Sequence, residues 1–213
     1  MLGVRYQDET TESIPMSAPL LQVIVGSTRP GRVGIHVAEW FATAARQDGR
    51  FDVEVLDLAE IALPMFDEPN HPSMHQYTQP HTEAWSARVA RGDAVVFVMP
   101  EYNWGVNPAL KNAVDYLNEE WAYKPMATVS YGGVSAGLRA ATALKTNVLP
   151  LRMIPIADAI SIPFVAQFVT DGTFVPNDVL RDSVAPLLGE LLKLTQATAL
   201  LRGPASEPVP DEG

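Results

Sequence analysis

Five apolar segments separated by amphipathic segments are the feature that most constrains the fold of this chain. The apolar segments cover residues 20–25, 51–58, 94–100, 125–132 and 153–165. Helical spacing of apolar residues marks the segments 33–46, 83–93, 107–121, 135–150 and 177–201. Such alternation is typical of βαβ units, whose right-handed crossovers place helices on both faces of a parallel sheet. The pattern therefore predicts an α/β fold, with the most apolar segment as a central strand.

The composition is that of a globular protein and excludes several functional classes. The chain has 213 residues, of which 47% are apolar, so it can bury a sizeable core. It contains no cysteine, which excludes disulfides, thiolate catalysis and cysteine-bound metals. The net charge of −10 argues against a nucleic-acid partner. No apolar stretch reaches the length of a membrane span, so we expect a cytoplasmic protein without a membrane partner.

The polar ends of the chain set the expected domain limits. Residues 1–19 predict a flexible N-terminal arm, which lacks the long apolar region of a signal peptide. Residues 202–213 predict a disordered, acidic and proline-rich tail. A single domain over 20–201 remains.

Three loops are candidates for a ligand site. In open parallel sheets, ligands bind beyond the carboxyl ends of the strands, where the strand order reverses. This rule selects the loops 26–34, 99–107 and 130–137.

The first of these loops, GSTRPGRVG over 26–34, has the features of an anion site. It joins a strand to a helix, whose unpaired first-turn amides favour an anion. Ser27 and Thr28 add hydroxyls, and Arg29 and Arg32 add guanidinium groups that suit phosphate. The loop matches neither the dinucleotide fingerprint nor the triphosphate loop, which leaves a terminal phosphate monoester. The alternative is an ordinary loop with exposed arginines.

Three segments in their order along the chain resemble the NADPH-dependent FMN reductase family. They are GSTRPGRVG, PEYNWGVNPALKNAVDYL over 100–117, and SYGGVSAGLRA over 130–140. The similarity covers about residues 20–165, and the second segment is the most specific. The resemblance implies a flavodoxin-like α/β/α sandwich, with a five-stranded parallel sheet in the order 2-1-3-4-5 and FMN bound by the domain 20–201.

The resemblance also implies which residues bind the cofactor. Those at the FMN phosphate are Ser27, Thr28, Arg29, Arg32, Val33 and Gly34. Those around the isoalloxazine ring and ribityl chain are Pro100, Glu101, Tyr102, Asn103, Trp104 and Gly105. Those that approach the ring from the next loop are Ser130, Tyr131, Gly132 and Gly133. The chain departs from many relatives at 32–34, where they carry Ser and Asn.

The leading functional hypothesis is an FMN-containing reductase that takes hydride from NADPH or NADH. The acceptor would be free flavin, a quinone, an azo compound or a metal oxyanion. Hydride transfer to flavin requires no catalytic side chain, because the protein supplies position and electrostatics. The alternatives are a flavodoxin-like electron carrier without NAD(P)H oxidation and a binding module without flavin.

Two further expectations concern metals and assembly. His71, His75 and His81 lie in the proline-rich segment 62–82, which favours a solvated loop over a metal site, so we expect no metal. Tyr116 and Trp121 have the sequence context of exposed aromatics. Together with the resemblance, they predict a homodimer or homotetramer.

Overall fold

The computed structural model describes residues 18–202. The predicted arm (1–19) and tail (202–213) lie outside the described residues except at Ala18, Pro19 and Arg202. The strands are β1 (Leu20–Val25), β2 (Asp52–Asp57), β3 (Ala94–Tyr102), β4 (Gly105–Val106), β5 (Pro125–Tyr131), β6 (Ile154–Pro155), β7 (Ile160–Ile162), β8 (Val169–Thr170) and β9 (Thr173–Phe174). The helices are α1 (Gly34–Asp48), α2 (Leu58–Ile61), α3 (Pro80–Ala90), α4 (Pro108–Asp115), α5 (Leu138–Val148) and α6 (Asp178–Arg202).

The main sheet has the predicted parallel arrangement. Its strands run in the order β2-β1-β3-β5, and both β6 and β7 pair with the outer side of β5. Because β6 and β7 share the fifth position, this is the order 2-1-3-4-5 of the flavodoxin-like fold, which is confirmed. Two short antiparallel pairings, β3 with β4 and β8 with β9, were not predicted.

The fifth strand differs from the single segment predicted over 153–165. Ile154 and Pro155 pair with the start of β5, and Ile160–Ile162 pair with its end. Between them the carbonyl of Ile156 accepts a hydrogen bond from Lys145 Nζ at 2.7 Å. Because this side chain takes the carbonyl that would continue the pairing with β5, the ladder is interrupted and resumes at Ile160.

The core lies on both faces of the sheet. Helices α1 and α6 pack on one face of the sheet, and α3, α4 and α5 pack on the other. Each face has its own cluster of buried apolar residues. The apolar residues of β3, from Ala94 to Met99, are fully buried between β1 and β5, as predicted for the central strand.

The helix predicted over 107–121 is shorter than expected. Helix α4 ends at Asp115, and a single 3-10 turn, Glu119–Trp121, follows. The expectation that Tyr116 and Trp121 are exposed was wrong, since both side chains are fully buried. The Trp121 indole packs edge-on against Trp85 and donates to the Val114 carbonyl at 3.1 Å. These two aromatics therefore give no support to an oligomer.

Segment 62–82 is held by its own hydrogen bonds. The Glu68 carboxylate accepts bonds from the Thr78 N–H and hydroxyl, both at 2.9 Å, and from the Gln79 N–H at 3.0 Å. Burial alone would raise the pKa of Glu68, but hydrogen bonds from threonine hydroxyls and backbone N–H groups lower it to about 2. Asn112 of α4 fixes the start of the segment through the Pro64 carbonyl, at 2.6 Å. The segment is thus fastened along the helix that follows the second candidate loop.

Contrary to the sequence expectation, α6 is long and apolar enough to cross a membrane by length and composition. One face of the helix, with Leu180, Val184 and Leu188, is buried in the core. Arg181 and Asp182 are exposed on its surface. This distribution is typical of an amphipathic helix that covers a sheet.

Candidate active site

The three candidate loops meet at one edge of the sheet. Strands β1, β3 and β5 are neighbours, so their carboxyl ends bring together all the site residues predicted from sequence. The Gly26 N–H donates to the Val98 carbonyl at 2.9 Å. Asn107 precedes α4 but makes no side-chain cap to it, and its amide instead donates to the Gly26 carbonyl at 2.6 Å. The first two loops are therefore fixed to each other through buried hydrogen bonds.

The start of α1 offers free hydrogen-bond donors. Val33 is the N-cap residue, and its side chain makes no capping bond. The first turn contains no acidic residue. Amides at the start of a helix require acceptors, and an anion there is favoured by the helix dipole. This helix end therefore fits a phosphate group.

Two buried hydroxyls lie under the same loop. Ser27 Oγ and Tyr131 Oη are shielded from solvent and lack a well-formed hydrogen bond among the described residues. Both lie against Gly34, where an added Cβ would collide with each of them. Buried polar groups are almost always paired in native proteins, so unpaired hydroxyls beside a helix N-terminus fit a site completed by a ligand.

The side chain of Tyr131 lies beside Gly34, the first residue of α1. Burial raises the pKa of Tyr131 to about 12, against the smaller lowering effects of the neighbouring Ser27 hydroxyl and of the Arg32 and Arg29 charges. The phenol is therefore neutral at physiological pH and can donate a hydrogen bond.

The two arginines of the first loop have different surroundings. Arg29 is exposed, as is Thr28, and it takes part in none of the ion pairs found within residues 18–202. Arg32 forms a two-pronged ion pair with Asp57, in which Nη1 lies 2.9 Å from Oδ1. The same Nη1 donates to the Ser27 carbonyl at 2.7 Å. Val33 packs against the core.

The second loop is a tight hairpin with an aromatic tip. Pro100 is buried, and β3 turns back into β4 with Tyr102 paired to Gly105. Asn103 and Trp104 occupy the turn with φ of 48° and 67°. Two consecutive left-handed residues are typical of a type I′ turn, a conformation that Trp adopts only under strain. The Trp104 side chain is 71% exposed.

The hairpin is joined to the third loop through Glu101. Its carboxylate accepts hydrogen bonds from Ser135 Oγ at 3.1 Å, from the Arg139 N–H at 3.1 Å and from Arg139 Nε at 2.7 Å. Burial would raise the pKa of Glu101, but the bonds from Arg139 and Ser135 hold it below its usual range. The Arg139 guanidinium also covers the Trp104 ring, 4.8 Å from its centroid. One charged pair thus orders both loops and the aromatic tip.

A buried hydrogen bond from Ser130 stabilises the third loop. Ser130 is fully buried, and its hydroxyl donates to the Ala136 carbonyl at 2.8 Å, so the side chain of this predicted site residue is used within the loop. Gly132 and Gly133 are more accessible and follow directly. At Gly137 φ is 77°, and an added Cβ would lie 2.9 Å from the Tyr131 backbone, so glycine is required there.

Sequence reasoning missed Phe164. The Phe164 N–H donates to the Gly133 carbonyl at 3.1 Å, and the side chain is 50% exposed beside the third loop. The signal for Phe164 was its position at the end of the fifth apolar segment, because the carboxyl ends of parallel strands share one edge. Gly137 lies in the candidate loop 130–137 but also inside the helix predicted over 135–150, which begins only at Leu138.

The histidines of segment 62–82 each have a local partner. His71 Nδ1 lies 2.7 Å from Ser73 Oγ, and His81 Nε2 lies 2.8 Å from Asp67. His75 Nδ1 lies 3.5 Å from Glu120. Residues 18–202 contain no group of three or more His, Cys, Asp or Glu side chains suited to a metal ion.

Comparisons with known proteins agree with this fold. The family model for NADPH-dependent FMN reductases matches residues 19–167. An NAD(P)H-dependent FMN reductase of Schizosaccharomyces pombe is 40% identical over 156 residues, which cover 71% of this chain and 78% of the relative. An NADPH azoreductase of a Bacillus species is 30% identical over 180 residues, 83% of this chain and 90% of the relative. The structure of FerB, an NAD(P)H:acceptor oxidoreductase of Paracoccus denitrificans, superposes with a TM-score of 0.69 at 19% identity, covering 84% of this chain and 98% of that one.

Proposed function

The chain belongs to the NADPH-dependent FMN reductase family, and we propose that its three loops at the carboxyl edge of the sheet hold FMN for the reduction of small organic acceptors. The protein is an oxidoreductase with FMN and NAD(P)H as cofactors. The observation that carries the proposed site is the meeting of three elements at one edge: the uncapped start of α1, the unpaired Ser27 and Tyr131 hydroxyls, and the aromatic hairpin.

The phosphate end is proposed at the β1–α1 loop. The N–H groups at the start of α1 and the exposed Arg29 guanidinium supply donors for a dianionic phosphate. Ser27 and Tyr131 supply neutral hydroxyls to the same place. Thr28 is exposed.

The ring end is proposed between the hairpin and the third loop. Tyr102 and Trp104 offer flat apolar walls, and Gly105, Gly132 and Gly133 allow backbone to approach a ring closely. Backbone N–H and C=O groups there would pair with the polar edge of the ring. Bound FMN would supply the redox chemistry, by accepting hydride from NAD(P)H and passing electrons to the acceptor.

The task of the chain itself is positioning. Hydride transfer depends on near-contact stacking of two flat rings, which rigid walls promote. The Glu101–Arg139 pair joins both walls, and preorganisation of this kind lowers the cost of binding. No general acid is needed for the first half-reaction, which agrees with a site lined by aromatic rings, glycines and structural ion pairs.

The proposed acceptors are quinones, azo compounds and free flavin. Trp104, at the tip of the hairpin beside the proposed ring site, is itself exposed to solvent. An open site with flat walls favours planar aromatic acceptors of varied size over one specific substrate.

The proposed assembly is a homodimer or homotetramer in the cytoplasm. Exposed apolar side chains border the site on three loops: Tyr102, Trp104, Val134, Leu138 and Phe164. Exposed apolar clusters of this kind are common at protein interfaces. Light scattering of the FMN-loaded protein at micromolar concentration tests this, and an active monomer would exclude it.

Steady-state kinetics test the reductase against the electron-carrier alternative. FMN-loaded protein is given NADPH and increasing concentrations of a benzoquinone, an azo dye or free FMN. A reductase oxidises NADPH with parallel lines in double-reciprocal plots, because one site serves both substrates in turn. A carrier binds FMN but leaves NADPH unoxidised until a separate reductase is added. Protein purified without flavin absorbance, and unable to take up FMN, would contradict both.

A further inference from the structure

Within this proposed function, we infer that Arg32 is a positioning residue clamped by Asp57 and that Arg29 is the guanidinium through which the first loop holds the FMN phosphate. Both arginines lie in the glycine-rich loop and both have the chemistry of a phosphate ligand. Their surroundings separate them: Arg29 is exposed, whereas the Arg32 side chain is only 16% exposed.

The Arg32 guanidinium has one partner at the end of β2 and another within its own loop. Its terminal nitrogens face the two oxygens of Asp57, and Nη1 also reaches the Ser27 carbonyl. Ser27 is at the start of the loop and Arg32 near its end, so this contact closes the loop on itself. The fork geometry of arginine makes all these bonds at once, which a lysine cannot do.

The burial and hydrogen bonding of Asp57 favour a permanent ion pair with Arg32. Asp57 ends β2, pairs in register with Val25 of β1, and has a side chain that is 6% exposed. Its Oδ1 also accepts the Ala59 N–H at 3.0 Å, which caps α2. If Arg32 turned toward a phosphate, a buried carboxylate would lose its only ion-pair partner within residues 18–202. That loss exceeds the gain from one exposed phosphate contact.

The charge balance leads to the same assignment. Asp57 neutralises Arg32, so the positive side-chain charge that remains on the loop belongs to Arg29. The ion pair instead fixes where the Ser27 backbone and the start of α1 lie, and thereby where the donors of the phosphate site point.

The sign of the effect of Asp57→Asn distinguishes the two roles. If Arg32 binds the phosphate directly, removing the competing carboxylate frees a guanidinium and tightens FMN binding. If Arg32 positions the loop, the same substitution weakens FMN binding, by roughly tenfold for the loss of charge-assisted bonds. Riboflavin, which lacks the phosphate, serves as the matched ligand, and its Kd should change little.

The experiment is flavin titration of the purified chain, with the Kd for FMN and for riboflavin measured for each variant. We expect Asp57→Asn, Arg32→Gln and Arg32→Lys to lower the riboflavin-to-FMN ratio of Kd values alike. The double variant Asp57→Asn/Arg32→Gln should bind FMN no more weakly than either single variant, because both substitutions break the same ion pair. Arg29→Gln should lower the ratio independently of Asp57, and Arg46→Gln, an exposed change near the other end of α1, should not move it. Thermal unfolding confirms that each variant is folded.

Three outcomes overturn the inference. They are tighter FMN binding by Asp57→Asn, retention of wild-type affinity by Arg32→Lys, and an unchanged ratio in Arg29→Gln. Failure of the wild-type chain to prefer FMN over riboflavin would instead overturn the proposed phosphate site.

Discussion

The carboxylate of Glu101 holds both the backbone N–H and the guanidinium of Arg139, a residue 38 positions further along the chain. Glu101 is the penultimate residue of β3, and Arg139 lies in the first turn of α5. The acceptor therefore caps a helix and joins two loops at the same time. The walls of the proposed flavin site are fixed to each other by this pair.

Replacing Glu101 by Gln should loosen the ring end of the site. The amide cannot accept from Ser135, the Arg139 N–H and the guanidinium together, so at least one donor loses its partner. We expect a several-fold higher Kd for riboflavin as well as for FMN, because the ring and not the phosphate is affected. Equal affinities in wild type and variant, measured by flavin fluorescence, would mean that the pair does not order the site.

Replacing Trp104 by Gly should stabilise the fold and weaken the site. A bulky residue in left-handed conformation costs about 1–3 kcal/mol, whereas an exposed cation–π contact contributes about 0.5–1 kcal/mol. Glycine is also the residue that this turn type prefers. We therefore expect a higher midpoint of thermal unfolding together with weaker flavin binding.

Trp104→Ala is the control for that prediction. It removes the same indole but keeps a Cβ in the strained turn, so flavin binding should weaken without the gain in stability. A lower unfolding midpoint for Trp104→Gly than for Trp104→Ala would show that the turn stores no strain.

A methyl group at Gly34 should close the phosphate end. The added Cβ meets the Ser27 and Tyr131 hydroxyls, and overpacking of this kind costs about 1–3 kcal/mol. We expect Gly34→Ala to raise the Kd for FMN by roughly tenfold or more. Adding Tyr131→Phe removes one of the two colliding oxygens and should restore part of the affinity. Wild-type affinity in Gly34→Ala would place the phosphate elsewhere.

Glu68→Gln should destabilise the chain in a pH-dependent way. The folded pKa of Glu68 is about 2, below its ordinary value of 4.5, so the carboxylate stabilises the fold above pH 4.5 and loses this effect as the pH falls toward 2. At neutral pH the amide leaves a buried donor unpaired, at a cost of about 1–3 kcal/mol. Denaturant unfolding of the wild type and the variant should therefore converge at low pH. A difference in unfolding free energy that stays constant with pH would exclude the Glu68 carboxylate as its cause. The substitution Glu60→Gln, at an exposed position, is the control.

Local sequence patterns were sufficient for the alternation of strands and helices and for the three candidate loops. The strand–loop–helix junction around Gly26 follows from periodicity alone, whereas the strand order that places it beside Pro100 was implied by the family resemblance. These features depend on neighbours in sequence or on rules of topology, which a single chain displays.

Partner choice between distant side chains could not be predicted in the same way. Arg32 and Arg29 are equivalent in the sequence, and only the arrival of Asp57 from the next strand separates them. Tyr116 is buried because Pro64 and Asp67 of the preceding segment cover its hydroxyl. Lys145 takes the Ile156 carbonyl and so interrupts the fifth strand, which resumes at Ile160. Phe164 follows this resumed part and therefore lies at the site.

Anaerobic stopped-flow spectroscopy of the FMN-loaded protein tests the reductase assignment most directly. After mixing with NADPH, the absorbance band of the bound flavin should disappear within seconds to minutes, and more slowly after mixing with NADH. Admission of a quinone should then restore the band without release of FMN. A band that neither nicotinamide cofactor removes on this timescale would contradict the reductase and favour an electron carrier.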